Sequence, residues 1–305
     1  MNDLQASLDR ARLSLEGLSV GDAFGERFFG PVRAIKARLE SRDLPPGPWR
    51  YTDDTVMALG VVDVLARHGR IDADDLARTF GRRYAEAPGR GYGRGVRDTL
   101  EALAKGADWR KVAPLVFGGS GSMGNGGAMR AAPVGAFFAD DPEALVENAT
   151  LSAAVTHSHP EGKAGAVAVA AGAAFAWRIR ARPDEVVGTD LLGHALGLTP
   201  PGETRDGIAK ARTLAPATTV EQAAEQLGSG VKILAQDTVP FSLWCAQPNL
   251  HDFAQALWDG VSGLGDVDTV CAIIGGIVVM NTGVDGIPLD WRKAREPLAG
   301  ALARS

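Results

Sequence analysis

Leu4, Leu8, Ala11 and Leu15 recur at three- and four-residue intervals, so the chain opens on an amphipathic helix over 4–18. GDAFG follows at 21–25, then a mixed segment that ends in the Pro/Gly-rich stretch LPPGPW at 44–49. A long apolar run from Asp53 to Leu65 closes on His68-Gly69, which reads as a helix C-terminus. Residues 72–86 predict another helix, with Asp72 as its cap. PGRGYGRG at 88–95 is a turn or loop, and 96–105 and 108–116 are short helical segments.

GGSGSMGNGG at 118–127 is the most loop-like stretch and runs into AMRAAPVGAFFA. After Asp141-Pro142 a helix extends through about 155, and the Ala-rich 161–178 favours helix on propensity. Residues 181–219 are irregular and polar, a surface excursion or cap; helices resume at 220–236, 237–246 and 250–260. IIGGIVVM at 273–280 suits a buried strand as well as a helix, because β-branched residues favour strands. Alternating strand patterns are otherwise scarce. With no internal repeat and no dividing linker, 1–305 reads as a single all-α domain.

Composition narrows the classes. At 305 residues, 45% hydrophobic and 23% charged, the chain can bury a sizeable core without staples. A net charge of -5 argues against non-specific nucleic-acid binding, which needs a basic face. Two cysteines, Cys245 and Cys271, both in apolar stretches, make no disulfide framework and fit a reducing cytoplasm. The opening segment lacks a signal peptide's apolar region, and no run approaches the ~20 apolar residues of a membrane span. A cytoplasmic chain with no membrane partner is expected.

Candidate chemistry lies in two acidic motifs, Tyr51-Thr52-Asp53-Asp54-Thr55 and Gly265-Asp266-Val267-Asp268-Thr269, each just ahead of a long apolar run. Both therefore sit at N-termini of buried helices, where Asp and Thr are ordinary caps. One such residue suffices for a cap. Several anions buried together need compensation, and carboxylates with Thr hydroxyls are the oxygen ligands that Mg²⁺ or Mn²⁺ prefer. The glycine-rich loop has the composition of a phosphate cradle, since backbone N–H groups without a Cβ can form an anion nest. It is neither a P-loop nor a dinucleotide fingerprint. Taken alone, such a loop is more often a connector, and Thr156-His157-Ser158-His159-Pro160 reads by itself as a turn.

In this order, GLSVGDAFG, YTDDTVMAL, GSMGNGGAMRAAPVG, THSHP and GDVDTVCAIIGG resemble the ADP-ribosylglycohydrolase family, from about Leu15 to Gly283. The resemblance implies a compact, single-domain orthogonal helical bundle with two Mg²⁺ or Mn²⁺ ions at the mouth of a cleft. It implies Thr52, Asp53, Asp54, Asp266, Asp268 and Thr269 as metal ligands. Gly121, Ser122, Met123, Gly124 and Asn125 would cradle the diphosphate and adjoining ribose, His157 would contact ADP-ribose, and Phe117 would stack on adenine. Two departures stand out. Many relatives carry a glutamate, a ligand or acid/base, where this chain has Phe29, and the nearest acid is Glu26. Met123 replaces an aromatic residue common in some relatives.

The implied reaction is metal-dependent hydrolysis of the N- or O-glycosidic bond joining ADP-ribose to a protein side chain or other acceptor, releasing ADP-ribose. Asp53, Asp54 and Glu26 are the candidate catalytic residues. Three alternatives stand beside it: hydrolysis of free ADP-ribosyl nucleotides, an inactive ADP-ribose-binding relative, and a dinuclear phosphoesterase, which would release AMP instead of ADP-ribose.

Overall fold

A computed structural model describes residues 3–181 and 190–298. Among them every regular element is a helix, and the only extended pairings are two isolated β-bridges, Trp49 to Arg295 and Gly124 to Leu234. The all-α expectation holds, and the ambiguous 273–280 lies inside the Val267–Thr282 helix. That helix is buried from Thr269 to Met280, so the burial its side chains gain outweighs the modest helix penalty of β-branched residues.

The centre of the molecule is the antiparallel pairing of Asp3–Gly25 with Val267–Thr282. The first helix runs seven residues past the expected Leu18 and takes in GDAFG. Gly17, Gly21 and Gly25 recur every four residues, one line on a helix face. An added Cβ would lie 2.4 Å from the Gly275 carbonyl at Gly17, 2.1 Å from that of Cys271 at Gly21, and 2.4 Å from that of Val267 at Gly25. The glycines are therefore helical because tertiary contact requires their missing side chains. Gly21→Ala is expected to cost about 3 kcal/mol, the upper end for overpacking, because the obstacle is rigid backbone, and urea unfolding would measure it. A loss below about 1 kcal/mol would mean that the seam can open. This close approach sets Asp22 beside the start of the second helix.

The Pro160–Ala181 helix is buried on nearly every side between Ala132–Phe137, Pro142–Ala154, Ala235–Ala246 and Val267–Thr282. Its alanines admit such neighbours on all faces. Behind GDAFG, Phe24 stacks on Trp291 at 4.5 Å and meets Phe28 and Trp258 edge-on or tilted at 5.0 and 5.2 Å.

Several boundaries differ from the sequence reading. Val32–Ser41 is a helix with only Ile35 buried, so its hydrophobic signal was too weak to read. The supposedly irregular 181–219 holds Leu191–Leu198, capped by Asp190, and Glu203–Thr213. The second takes its cap from far away: Glu161 accepts from Glu203 N, Thr204 N and Thr204 Oγ1 at 2.7–2.8 Å. Residues 182–189 of that stretch lie outside the described residues. The expected 220–236 helix breaks at Gly228 (φ 87°) into Val220–Leu227 and a turn ahead of Ala235–Ala246.

Candidate active site

Three segments converge at one end of the central pair. Asp22, on the first helix, is fully buried and accepts from Thr52 N (2.9 Å), Thr52 Oγ1 (2.8 Å), Thr55 N (3.1 Å) and Thr55 Oγ1 (2.5 Å). It thereby ties the start of the Asp53–His68 helix to the seam. Thr52 also reaches Asp54 Oδ2 at 3.1 Å. Oxygens of Asp22, Asp54 and Asp268 all lie within 4.8 Å of one another, a group that could hold a metal ion.

Capping does not account for these acids. Asp72, Asp141, Asp190 and Asp252 each accept from the backbone N–H three residues on, and Thr219 does so within a capping box. Thr52 and Asp266 occupy the same N-cap position and make no side-chain cap bond. Thr52 turns to Asp22 and Asp54, while Asp266 accepts from Asn125 Nδ2 at 2.7 Å.

The electrostatics are those of uncompensated anions. Burial raises Asp22 to about 6 against the opposing pull of its four donors. Burial, with Asp22 and Asp266 nearby, raises Asp53 to about 8, and Arg130 offsets part of this. Asp54 and Asp268 go well above the usual carboxylate range, through burial first and then their acidic neighbours. Asp54 Oδ1 is buried with no hydrogen-bond partner among the described residues. An orphaned carboxylate oxygen among converging acids fits a hard divalent cation.

A cleft of about 540 Å³ opens beside this cluster. Its walls include Asp53, Asp54, Asp266, Asp268 and Thr269, the Ser120–Gly126 loop, Phe117 and His157. The loop is shaped by positive φ at Phe117, Gly118, Gly119 and Gly121. It is stapled at its far end by Asn125 N to Ile233 O (3.2 Å) and Ala235 N to Met123 O (2.9 Å). Phe117 is 64% exposed on the rim, available to a flat ring. Beneath the loop Arg130 is wholly buried, lies 4.7 Å over the Phe80 ring and donates to Gly126 O at 2.6 Å.

Of the residues expected from the sequence, the structure brings Asp53, Asp54, Asp266, Asp268, Thr269, Phe117, Gly121–Asn125 and His157 to one cleft, with Thr52 just behind. Glu26 stands apart. It lies in the Glu26–Phe28 turn, outside the cleft lining, with Arg27 at 3.9 Å. Phe29 beside it is half exposed. Asp22 was not singled out in the sequence, although GDAFG contains it; an acid amid small residues at a helix seam was the available signal. Arg90 was missed as well: it donates to Tyr51 O at 2.9 Å and pairs with Glu296, which accepts from Tyr51 N, so the C-terminal segment braces Thr52–Asp54.

An all-helical cleft with an acidic floor and a glycine-loop wall defines the class, and comparison with known proteins agrees. The ADP-ribosylglycohydrolase family profile matches residues 3–304. ADP-ribosylhydrolase ARH3 of Danio rerio is 31% identical over 337 residues, covering 97% of this chain and 90% of that protein. ADP-ribosylarginine hydrolase Tri1 of Pseudomonas putida (strain GB-1) is 28% identical, covering 94% and 74%. A solved structure, an ADP-ribosylglycohydrolase-related protein complex, superposes with a TM-score of 0.64 at 26% identity, covering 95% of this chain and 93% of that one. The chain belongs to the ADP-ribosylglycohydrolase family. It is an ADP-ribosyl hydrolase.

Proposed function

We propose that the chain releases intact ADP-ribose from an ADP-ribosylated protein side chain or small molecule, with two Mg²⁺ or Mn²⁺ ions held by Thr52, Asp53, Asp54, Asp266, Asp268 and Thr269. The observation that carries this reading is the orphaned Asp54 Oδ1 among buried carboxylates. Such ions, when bound, supply Lewis-acid polarisation at the ribose. The Gly121–Asn125 backbone holds the diphosphate, so that its binding energy orients the ribose over the acids. Phe117 offers a face to adenine, and His157 hydrogen-bonds the ligand. Asp53, on the cleft wall, takes the proton of the attacking water, as general bases do. Glu26 takes no part, since its carboxylate lies outside the cleft. The acceptor arginine, named for the Pseudomonas relative, is the first to try. The two buried free thiols support a reducing, cytoplasmic setting, and no helix among the described residues is long and apolar enough to cross a membrane.

The test is ADP-ribose release from arginine- and serine-modified peptides with Mg²⁺, with Mn²⁺ and with chelator. Release that stops with chelator supports the proposal. AMP as product, or release that ignores chelator, would sink it.

A pH signature follows from the same cluster. A carboxyl raised on folding contributes stability below its ordinary 3.8 and loses it as pH rises through its folded value, about 6 for Asp22 and about 8 for Asp53. The metal-free protein therefore weakens across that window, and bound cations restore what is lost. The Mg²⁺-dependent rise in Tm should grow from pH 6 to pH 8. Calorimetry showing an equal rise at both would mean that these carboxyls are already ionised without metal.

A further inference from the structure

We propose that Arg130 and Thr156 are positioning residues that hold His157 in the tautomer bearing its proton on Nε2, so that the ring presents a donor to an oxygen of the bound ligand. The proposal rests on the reading above in taking that ligand to be ADP-ribose.

The direction of each bond follows from counting donors and acceptors. A guanidinium has donors and no acceptor. Arg130 Nη2 donates to Ser152 O at 2.7 Å and to Thr156 Oγ1 at 2.9 Å, so the hydroxyl accepts. That hydroxyl has one proton of its own, and its other partner is His157 Nδ1 at 2.7 Å. Were Nδ1 also a donor, Thr156 would accept twice and its proton would have no acceptor among the described residues. Nδ1 is therefore the acceptor, and the neutral ring carries its proton on Nε2.

Nε2 faces the glycine loop. An added Cβ at Gly124 or Gly126 would lie 3.3 or 2.9 Å from it, and His157 lines the cleft. Nε2 makes no hydrogen bond among the described residues, so its donor is left for a ligand. Burial first, and the Arg130 charge second, bring the imidazole down to about 3, so the ring stays neutral through the working pH range. His157 is thus a fixed donor and carries no proton to or from the reaction. One guanidinium, stacked on Phe80, holds both this ring and the Gly126 carbonyl, keeping loop and imidazole in register.

The experiment reads the ring directly. Long-range ¹H–¹⁵N spectra of the Mg²⁺-loaded wild type, with the His157 signal identified by its absence in His157→Gln, should show Nε2 protonated and Nδ1 bare. Thr156→Ser should keep that tautomer, and Thr156→Val should mix the two and weaken ADP-ribose binding about ten-fold. A proton on Nδ1 in the wild type would overturn the proposal, whether or not the Val variant folds. So would an unaltered tautomer in Thr156→Val. A tautomer that responds while ADP-ribose affinity stays constant in both Thr156→Val and His157→Gln would overturn the positioning role alone. Failure of the wild type to bind ADP-ribose at all would instead overturn the functional reading.

Discussion

Asp54→Asn is expected to raise the Tm of the metal-free protein while abolishing its stabilisation by Mg²⁺. The two effects have opposite signs because one carboxylate does two things. Without a cation, Asp54 is a buried acid facing Asp268, Asp22, Asp53 and Asp266, and its Oδ1 has no partner among the described residues. The folded state must hold it protonated at a pH where the unfolded chain ionises, and Asn removes that cost at nearly constant shape. The gain should be a few degrees, since each ~1 kcal/mol moves Tm by about 1.5–2 °C in a chain of this size. With Mg²⁺ present the same change removes a charged ligand, and ADP-ribose release should fall on the order of a thousand-fold, equivalent to several kcal/mol of lost Lewis-acid assistance. Thermal scans with Mg²⁺ and with chelator read both signs. An acid that merely helped the helix N-terminus predicts a small loss of Tm, unaltered by metal; that outcome would dismiss the metal site.

Asp22→Ala should do the reverse in the metal-free protein and destabilise it by about 3–5 kcal/mol. Four donors, the backbone N–H groups and hydroxyls of Thr52 and Thr55, converge on this buried carboxylate. Each donor left bare costs about 1–3 kcal/mol, partly offset by removal of a buried charge. Activity should collapse too, because Thr52, Asp53 and Asp54 would lose the anchor that sets them against Asp268. Urea unfolding in chelator is the deciding measurement. Were Asp22 solely a cation ligand, its loss would leave metal-free stability unaltered or improved, as at Asp54. Asp22→Asn should fall between, since one of its two acceptor oxygens becomes an amide facing N–H and O–H groups.

Local chemistry and the order of the motifs are legible in the amino-acid sequence. Two acidic motifs, each ahead of an apolar run, announce helix N-termini, and the glycine run announces a loop; both signals are short-range and do not depend on the partner. Helix existence is legible where burial imposes a period, as in Ala73–Glu86, or a long apolar run closed by a stop signal, as in Asp53–His68. Val32–Ser41 escapes because it buries one residue, and Glu203–Thr213 because its cap arrives from Glu161, 42 positions away.

What the sequence determined by itself, then, is the kind of ligand atoms present, the all-helical class and the family pattern that joins them. Which acid meets which was decided only by tertiary structure. Gly17, Gly21 and Gly25 let two helices close to backbone contact, and that contact makes Asp22 a neighbour of Asp268, 246 positions away along the chain. Hydrogen-bond direction was decided there as well. Nothing local in Thr156-His157 says which ring nitrogen holds the proton; a buried Arg130, able only to donate, settles it. The reason is the same in both cases: burial removes water as the alternative partner, so each polar group takes its role from whichever distant residue the fold places beside it.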